Sequence, residues 1–513
     1  MKGAKLSLQQ MIGQHVVCGF PSIEMDRAFI DAVKTHKIAN VILFSRNIAN
    51  KTQLVTLCTD IQDLVQNACA TPAFITIDQE GGMVSRLSSD CTITPSAMAL
   101  AGTDDVQLAR QAGIITAEEL RALGVNVDFA PSLDVNSNPH NPVIGVRSFG
   151  DTARTVERFA LPFLEGIQEC GVMAVGKHFP GHGDTHLDSH LALPTVIGDL
   201  AALQEHLAPF KAAIVDGIQG IMTSHILFPG LESERVPATL SRSIITGLLK
   251  QEFGFKGLVF SDCLEMDAVA KQYTTEISSV KALQAGVDVL CISHHVELGC
   301  QAVKAIEDAL LQGRLDRKEF EASTNKILAA KQMLSEQPGF PLSVVGSDEH
   351  ARINADLYER SLTLVNDVPF HLGFRPLFVS PRCFAATTVS SSEYELVFSR
   401  EMAHLFDADW VECSENPDAG EIARILETAQ AHSSVVMGTY NAHQYPAQVA
   451  LANALADSAD VCVIALRDPY DLSLLDRRIR SFAGYAYKSQ VCRAFARLLK
   501  EEIRAQGRLP VTL

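Results

Sequence analysis

The feature that most constrains the fold is an alternation of short apolar runs with longer amphipathic stretches over roughly the first 335 residues. Each run is rich in β-branched or aromatic residues and is bounded by Gly, Pro or Asn, which is typical of strands buried on both faces. The runs occupy residues 16–20, 40–44, 73–78, 125–135, 172–179, 220–226, 257–263 and 288–293. Helical patterns lie between them, for example at 104–123, 152–169, 199–216 and 296–312, and Thr103 and Thr152 are candidate N-caps.

Eight strand–helix units of this length predict an α/β protein built on a (β/α)8 TIM-type barrel. An open doubly wound sheet is the alternative, but no GxGxxG turn follows the first run. The pattern restarts after a Pro-, Gly- and Ser-rich stretch at 337–350. We therefore expect a barrel domain over 1–340 and a smaller α/β sandwich over 341–513, as suits a chain of 513 residues. The expected strands of the sandwich are 376–380, 433–440, 459–467 and the closing segment 509–513.

The charge of the chain limits its partners. Asp and Glu outnumber Lys and Arg by 60 to 43, a formal net charge of −17, which argues against a nucleic acid or an anionic membrane as partner. No apolar run reaches the roughly 18–20 residues that a bilayer crossing requires. The first 20 residues lack an apolar signal-peptide core, so we expect a cytoplasmic protein. The 12 cysteines are scattered without a CxxC pair, which favours reduced thiols and no metal site.

Polar side chains stand at the carboxyl ends of five of the eight apolar runs. In a barrel those ends converge on one mouth, where active sites form. Surface solubility alone does not explain polar residues at these five separate strand ends. The residues are Asp78, Asp134, the Lys177–His178 pair, His225 and Asp262.

The densest polar segment, KHFPGHGDTHLDSHLALP at 177–194, carries histidines at 178, 182, 186 and 190. A helix would place these imidazoles on one face and suggest zinc, but Pro180, Gly181 and Gly183 disfavour a helix there. No HExxH motif or outside ligand supports a metal. The remaining interpretations are a polar loop with incidental histidines and, as we favour, a catalytic loop after the fifth strand.

Asp262 ends the seventh run, GLVFSDC. Burying a charged aspartate at the end of a strand costs free energy unless its charge is paired or the residue has a function there. Its spacing alone fits an N-cap of the next helix as well as it fits a catalytic carboxylate. The acidic and basic groups predicted at the same mouth favour catalysis.

Several of these segments together resemble glycoside hydrolase family 3, and within it the NagZ-type β-N-acetylglucosaminidases. The similarity extends over nearly the whole chain, including the later α/β part. The resemblance implies an αβα sandwich for that second domain. The motifs are LFSRN (43–47), TIDQEGGMVSRL (76–87), NVDFAPSLDV (126–135), VIGVRSFG (143–150), GKHFPGHGDTHLDSHLALP (176–194), GFKGLVFSDCLEM (254–266), PYDL (469–472) and GRLPVTL (507–513).

The resemblance implies a retaining exo-enzyme that releases terminal β-linked GlcNAc through a covalent glycosyl-enzyme, with no cofactor. Asp262 would be the nucleophile, His190 the proton donor and acceptor, and Asp188 the partner that orients His190. A histidine suits both proton transfers near neutral pH because its ordinary pKa is about 6.5. The resemblance further assigns a group of residues to grip the sugar hydroxyls and the N-acetyl group. They are Asp78, Arg86, Arg147, Lys177 and His178.

Two positions depart from the family pattern. Met83 replaces the first Arg of EGGRVxR, and Cys263 replaces the second Asp of SDDL. The first change removes a charge, so we expect altered aglycone contacts. The second removes a carboxylate beside the nucleophile and is expected to change its electric field slightly.

The expected partner is a small carbohydrate from cell-wall muropeptides or chitin fragments. A β-N-acetylglucosaminide phosphorylase is a close alternative, because a histidine acid/base repels phosphate less than a carboxylate would. A β-glucosidase or β-xylosidase of the same family is another. A sugar-binding protein without catalysis is the alternative from a different class, although binding alone needs no nucleophile.

Overall fold

The computed structural model describes residues 6–185, 193–382 and 397–513. Eight parallel strands form one sheet in the order β7-β6-β5-β4-β3-β2-β1-β8, and a parallel bridge between Phe260 and Val289 closes it. The predicted (β/α)8 barrel is therefore confirmed. The strands are β1 (Val16–Cys18), β2 (Asn40–Leu43), β3 (Phe74–Ile77), β4 (Val127–Asp128), β5 (Met173–Phe179), β6 (Gly220–Thr223), β7 (Leu258–Phe260) and β8 (Leu290–Ile292).

Helices surround the barrel and bury one face against it. Thr152 is the N-cap of the helix that follows it, as expected, and accepts the Thr155 N–H. Thr103 is not the N-cap of the next helix, because Asp105 takes that place; Thr103 instead is the C-cap of the preceding helix, and its hydroxyl donates to Leu100 O. The helices are α1 (Leu8–Gly13), α2 (Arg27–His36), α3 (Lys51–Cys69), α4 (Ala97–Gly102), α5 (Val106–Ala122), α6 (Ala153–Glu169), α7 (Gln204–Val215), the π-helical segment Ser243–Glu252, α8 (Asp267–Ala270), α9 (Thr275–Ala285), α10 (Val296–Leu311) and α11 (Arg317–Ser335).

The barrel interior is packed with side chains and is not a channel. Phe74, Phe129 and Phe260 meet there, with the Phe129 and Phe260 ring centroids 5.5 Å apart. A larger apolar layer joins the outer faces of the strands to the helices. The substrate can therefore enter only at an end of the barrel.

The fourth apolar run forms a shorter strand than its length suggests. Of residues 125–135 only Val127 and Asp128 are paired as a strand, because Pro131 has no N–H to donate. The remaining residues of the run cross the mouth of the barrel. Leu133 N donates to Lys177 O, which fixes this crossing segment to β5.

A second sheet of six strands follows the barrel in the order β11-β10-β12-β13-β14-β9, and only the β14–β9 pair is antiparallel. Helices pack on this sheet, so the predicted sandwich is confirmed; the boundary after residue 340 stays a prediction. The strands are β9 (Thr363–Asn366), β10 (Pro376–Pro381), β11 (Asp409–Cys413), β12 (Ser434–Thr439), β13 (Asp460–Ala465) and β14 (Arg480–Ala483). The helices are α12 (Asp348–Ser361), α13 (Phe398–Phe406), α14 (Ala419–Ala429), α15 (Pro446–Leu455) and α16 (Ser489–Leu499).

The predicted closing strand at 509–513 is wrong. The backbone of this tail bonds to separate segments instead of to one neighbouring strand. Gly507 N donates to Leu362 O, and Thr512 N donates to the Asp151 carboxylate. Pro510 cannot donate at all, so a continuous ladder is interrupted.

The parts of the chain that the structure describes include no helix with the length and apolarity of a membrane span. The eleven cysteines within those parts form no disulfide with one another.

Candidate active site

A cavity of about 200 Å³ lies at the carboxyl ends of the barrel strands. It lies at the mouth that the strand ends predict. The structure brings six of the eight predicted site residues to it. They are Asp78, Arg86, Arg147, Lys177, His178 and Asp262.

One wall of the cavity is lined by Asp78, Arg147 and Lys177, and Glu80, which does not itself line the cavity, joins the two cations through ion pairs. The Arg147 guanidinium binds both Glu80 oxygens, with Nε to Oε2 at 2.9 Å and Nη2 to Oε1 at 2.8 Å. The Lys177 ammonium lies 2.6 Å from Glu80 Oε1 and 2.8 Å from Asp78 Oδ1. Lys177 therefore bridges the two carboxylates. The two parallel hydrogen bonds to Glu80 fix the plane of the Arg147 guanidinium, an arrangement we call the Arg147 fork.

The charges of this network support one another although all are buried. Burial alone would raise the pKa of Glu80, but Arg147 and Lys177 outweigh it and hold that pKa far below its ordinary value. The pKa of Asp78 is lowered in the same way, chiefly by Lys177 against the effect of burial. Burial opposes the charge of Lys177 too, yet Asp78 and Glu80 raise its pKa. The network is thus fully ionised at neutral pH.

Glu80 belongs to this network but is absent from the site residues predicted from the sequence. Its side chain is 5% exposed and faces Arg147 and Lys177. The available signal was its position, two residues after Asp78 in the same strand-end segment TIDQEGG.

Arg86 lies at the rim of the same wall. Its Nη2 is 3.6 Å from Asp78 Oδ2, and its guanidinium carbon lies 5.7 Å from the centroid of the Phe44 ring. The backbone N–H of Arg86 donates to the Gln79 side chain, which ties this turn to the end of β3. Arg86 therefore stands between the ionic wall and the wall that contains Phe44.

His178 is oriented by Asp134, whose carboxylate is fully buried. Asp134 Oδ2 lies 2.7 Å from His178 Nδ1, and Oδ1 accepts the backbone N–H groups of His178 and His182. Burial would raise the pKa of Asp134, but the two histidines hold it well below its ordinary value. Asp134 accepts from Nδ1, and Arg147 Nη2 lies 3.5 Å from Nε2 and can only donate, so these partners assign the Nδ1–H tautomer.

Asp262 follows β7 and is half-buried at the cavity. Its Oδ1 accepts the N–H of Cys263 at 2.7 Å, which fixes the carboxylate relative to its own backbone. His225 does not line the cavity as the strand-end pattern suggested. It lies behind this turn and its Nε2 donates to Cys263 O at 2.8 Å, so it supports the backbone next to Asp262.

The wall opposite the ionic network is largely apolar. His294 stacks on Phe44 with ring centroids 5.0 Å apart, and Arg46 Nη1 lies 3.3 Å from His294 Nδ1. Burial and then the nearby arginines lower the pKa of His294, although Glu265 opposes them. Sequence reasoning missed this wall, although Phe44 ends the second apolar run and His294 follows the eighth. Its other members include Ile42, Met222, Met266 and Cys291.

The two departures from the family pattern lie in different surroundings. Met83 is 4% exposed and packs in the apolar cluster that contains Val146 and residues of the second sheet, not in the cavity wall. Cys263 does line the cavity, and desolvation and then Glu265 raise the pKa of its thiol to about 12. The thiol beside Asp262 is thus neutral.

Asp188 and His190 lie outside the described residues, so their placement is not part of this geometry. The described residue before that segment, Thr185, is buried and bonded through its carbonyl to Asn138 Nδ2 and through its hydroxyl to Asn141 Nδ2. Across 6–185, 193–382 and 397–513, no group of three or more His, Cys, Asp or Glu side chains is placed to hold a metal ion.

The amino-acid sequence matches the model of the glycosyl hydrolase family 3 N-terminal domain over residues 4–330. The chain belongs to glycosyl hydrolase family 3. A β-hexosaminidase A of Pseudoalteromonas piscicida is 29% identical over 99% of this chain and 97% of its own length. A β-hexosaminidase of Methylococcus capsulatus is 37% identical over 52% of this chain and 79% of its own length.

Among solved structures, a family 3 β-N-acetylglucosaminidase from Paenibacillus sp. str. FPU-7 superposes with a TM-score of 0.92 at 37% identity, covering 99% of both chains. A β-glucoside phosphorylase, BglX, superposes with a TM-score of 0.84 at 20% identity, which is evidence for a shared fold alone. Family membership makes the chain a glycoside hydrolase, and the cavity at the barrel mouth is its candidate active site.

Proposed function

We propose that the protein is a retaining exo-β-N-acetylglucosaminidase with Asp262 as its nucleophile. The observation that carries the proposal is that the Asp262 carboxylate shares one small cavity with Asp78, Arg147 and Lys177, which Glu80 joins into one ionic network. Such paired carboxylates and cations suit the hydroxyl groups of a sugar, which both donate and accept hydrogen bonds. The names of the related proteins support N-acetylglucosamine as that sugar.

In the first step the Asp262 carboxylate attacks the anomeric carbon, the glycosidic C–O bond breaks, and His190 gives its proton to the departing oxygen. In the second step His190 takes a proton from water, the water oxygen bonds to the anomeric carbon, and Asp262 leaves. Two inversions give net retention and release β-GlcNAc. Asp188 would orient His190 and stabilise its cation, as a carboxylate does in a catalytic triad.

Two features of Cys263, the residue after Asp262, fit the role of Asp262 as nucleophile. The Cys263 N–H fixes one oxygen, and the thiol of the same residue is kept uncharged by its raised pKa. The strong cations of the site, Arg147 and Lys177, are occupied by Glu80 and Asp78. These two cations would grip the sugar hydroxyls.

The cavity volume of about 200 Å³ suits one monosaccharide unit, which favours removal of single terminal sugars. We further propose β-GlcNAc-terminated fragments of cell wall or chitin as the natural substrates.

The decisive experiment compares hydrolysis of a chromogenic β-GlcNAc glycoside by the wild type, Asp262→Ala and His190→Ala. We expect Asp262→Ala to lose about 10⁴-fold or more in kcat. Azide added to Asp262→Ala should attack from the face of the missing carboxylate and give the α-glycosyl azide. Azide added to His190→Ala should replace water in the second step and give the β-glycosyl azide. Full activity of Asp262→Ala, or exchanged azide products, would refute the assignment.

Two controls test the acceptor and the sugar: inorganic phosphate tests whether water is the acceptor, and the matching β-glucoside tests the preference for GlcNAc. We expect phosphate to leave the wild-type rate unchanged and the glucoside to be a far poorer substrate. Release of GlcNAc-1-phosphate would instead make the protein a phosphorylase, and a preference for the glucoside would overturn the choice of sugar.

A further inference from the structure

The second domain contacts the sugar-gripping wall through the loop that carries Arg147. This loop, residues 136–147, runs along the mouth of the barrel and ends in a short 3-10 turn, Gly145–Arg147. The turn faces the segment that follows β13 of the second sheet. Asp468, in that segment, is 2% exposed, and its Oδ1 accepts the Val146 N–H at 2.9 Å.

The fit between the turn and Asp468 is close enough to require glycine. Gly145 has a φ of 46°, and a Cβ built on it would lie 2.3 Å from Asp468 Oδ1. A side chain at this position would displace either the carboxylate or the turn. Asp468 is itself held from behind, since Arg467 Nε lies 3.3 Å from its Oδ2. The backbone of the turn is therefore pressed against a carboxylate that cannot move freely.

A second contact reaches the same turn from the same domain. The Tyr470 hydroxyl accepts from Asn136 Nδ2 at 2.8 Å, and Asn136 Oδ1 accepts the Gly145 N–H at 3.1 Å. Two consecutive N–H groups of the turn, those of Gly145 and Val146, are thus positioned by residues 468 and 470 of the second domain. The next residue in the chain is Arg147.

We propose that Asp468 is a positioning residue for sugar binding, acting through the Gly145–Arg147 turn. Asp468 holds the turn in place, and the turn directs the Arg147 side chain. The two hydrogen bonds from Arg147 then position Glu80, which in turn positions Lys177. The second domain is then part of the binding site without touching the sugar. This inference rests on the proposed function, because it assumes that the Arg147–Glu80–Lys177 network binds the substrate.

The test measures the affinity for free GlcNAc by calorimetry, together with kcat, KM and Tm, in Asp468→Ala, Asp468→Asn and Gly145→Ala. Asp468→Ala should weaken GlcNAc binding about 10-fold, because Val146 loses its acceptor and the turn can shift. Asp468→Asn keeps an acceptor oxygen and should stay within about threefold of the wild type. Gly145→Ala keeps the Asp468 side chain but pushes the turn and the carboxylate apart, so it should resemble Asp468→Ala. It also serves as the test if Asp468→Ala does not fold.

Ser96→Ala is the matched control. The Ser96 hydroxyl donates to Tyr485 O at 3.1 Å, so this variant also loses a buried hydrogen bond between barrel and second domain, but not one that is made by the Gly145–Arg147 turn. We expect it to lower Tm as Asp468→Ala does while leaving GlcNAc affinity unchanged. Equal losses of affinity in both variants would mean that Asp468 only stabilises the fold.

A double-mutant cycle with Arg147→Lys tests the route of the effect. Lysine keeps the charge but cannot form the two parallel hydrogen bonds to Glu80. Adding Asp468→Ala to Arg147→Lys should therefore lower the affinity for GlcNAc little further. If the fold losses in GlcNAc affinity of the two single variants multiply in the double variant, Asp468 does not act through Arg147 and the inference is wrong. A wild type that neither binds GlcNAc nor cleaves its β-glycosides would refute the proposed function instead, so the two failures are distinguishable.

Discussion

The two walls of the cavity hold their side chains in different ways. On the wall formed by the ends of β3, β4 and β5 and the loops that follow them, Asp78 and Glu80 both have cationic partners, and Glu80 alone engages both Arg147 and Lys177. On the wall formed after β2, β7 and β8, Phe44, Met266 and Cys291 contribute shape and apolar surface. The first wall has fixed hydrogen-bonding directions before the sugar arrives, which is the preorganisation that strong binding of a polar ligand requires. The second can vary without leaving a buried charge unpaired.

The largest expected effect comes from breaking the ionic wall at its centre. Glu80→Gln keeps the shape of the side chain but leaves Arg147 without a charged partner in a buried site. We expect kcat/KM to fall about 10²- to 10³-fold. The free energy of unfolding should fall by about 3–5 kcal/mol, because one member of a buried ion pair remains unpaired. Steady-state kinetics and urea unfolding measure the two losses.

Glu265→Gln is the matched control, because Glu265, like Glu80, does not line the cavity and supports the opposite wall through His294. Glu265 accepts the backbone N–H groups of His294 and His295, at 2.6 and 3.1 Å. Glutamine retains one acceptor oxygen, and no arginine fork depends on it. We expect a loss below about 10-fold in kcat/KM. Losses of the same size in Glu80→Gln and Glu265→Gln would mean that the walls do not differ as described.

The contrast between the walls should also depend on pH. The pKa of Glu80 is lowered in the folded protein, so its ionised form stabilises the fold above its unfolded pKa of about 4.3. The difference in unfolding free energy between wild type and Glu80→Gln should be constant from pH 7 to about 5. Below about pH 4.3 it should shrink by up to ~1.4 kcal/mol per pH unit, as the pH falls towards the folded pKa. Urea unfolding at pH 7, 5, 4 and 3 measures it, and a constant difference down to pH 3 would contradict the ionic description.

The sequence predicted most of the ionic wall but little of the other. Asp78 and Lys177 lie at the carboxyl ends of apolar runs, as does Asp262 on the other wall. Parallel strands of a barrel bring such ends together at one mouth. Glu80 escaped because its partners come from β5 and from the loop after β4, and their contact exists only after folding. In the second sheet, β9, β11 and β14 were not predicted. β9 and β11 are the two edge strands and are only partly buried, so they lack continuous apolar runs. β14 is buried, but its four residues, RSFA, include only two apolar ones. The Asp468 contact joins residues more than 300 positions apart and has no local signal.

A smaller effect is expected from reshaping the apolar wall. The Phe44 ring lies under Arg46, whose guanidinium carbon is 4.2 Å from the ring centroid, and beside Arg86 and His294. Phe44→Leu keeps an apolar side chain but loses the cation–π contacts, worth about 0.5–1 kcal/mol each at exposed sites. We expect KM to rise about 3- to 10-fold with little change in kcat. A kcat loss larger than the KM change would mean that this wall acts in the transition state.

The smallest effect is expected at Cys263, although it adjoins the nucleophile. Its contribution to Asp262 is a backbone N–H, which Cys263→Ser leaves in place. Its thiol has a pKa of about 12 through desolvation and the neighbouring Glu265, so at pH 8 only ~1 thiol in 10⁴ is ionised. We therefore expect Cys263→Ser to stay within about twofold of wild-type kcat/KM. Iodoacetamide at pH 8 should leave wild-type activity intact over an hour, with Cys263→Ser treated in parallel. Rapid inactivation of the wild type alone would show a reactive thiolate beside Asp262, and the apolar wall would then carry a charge of its own.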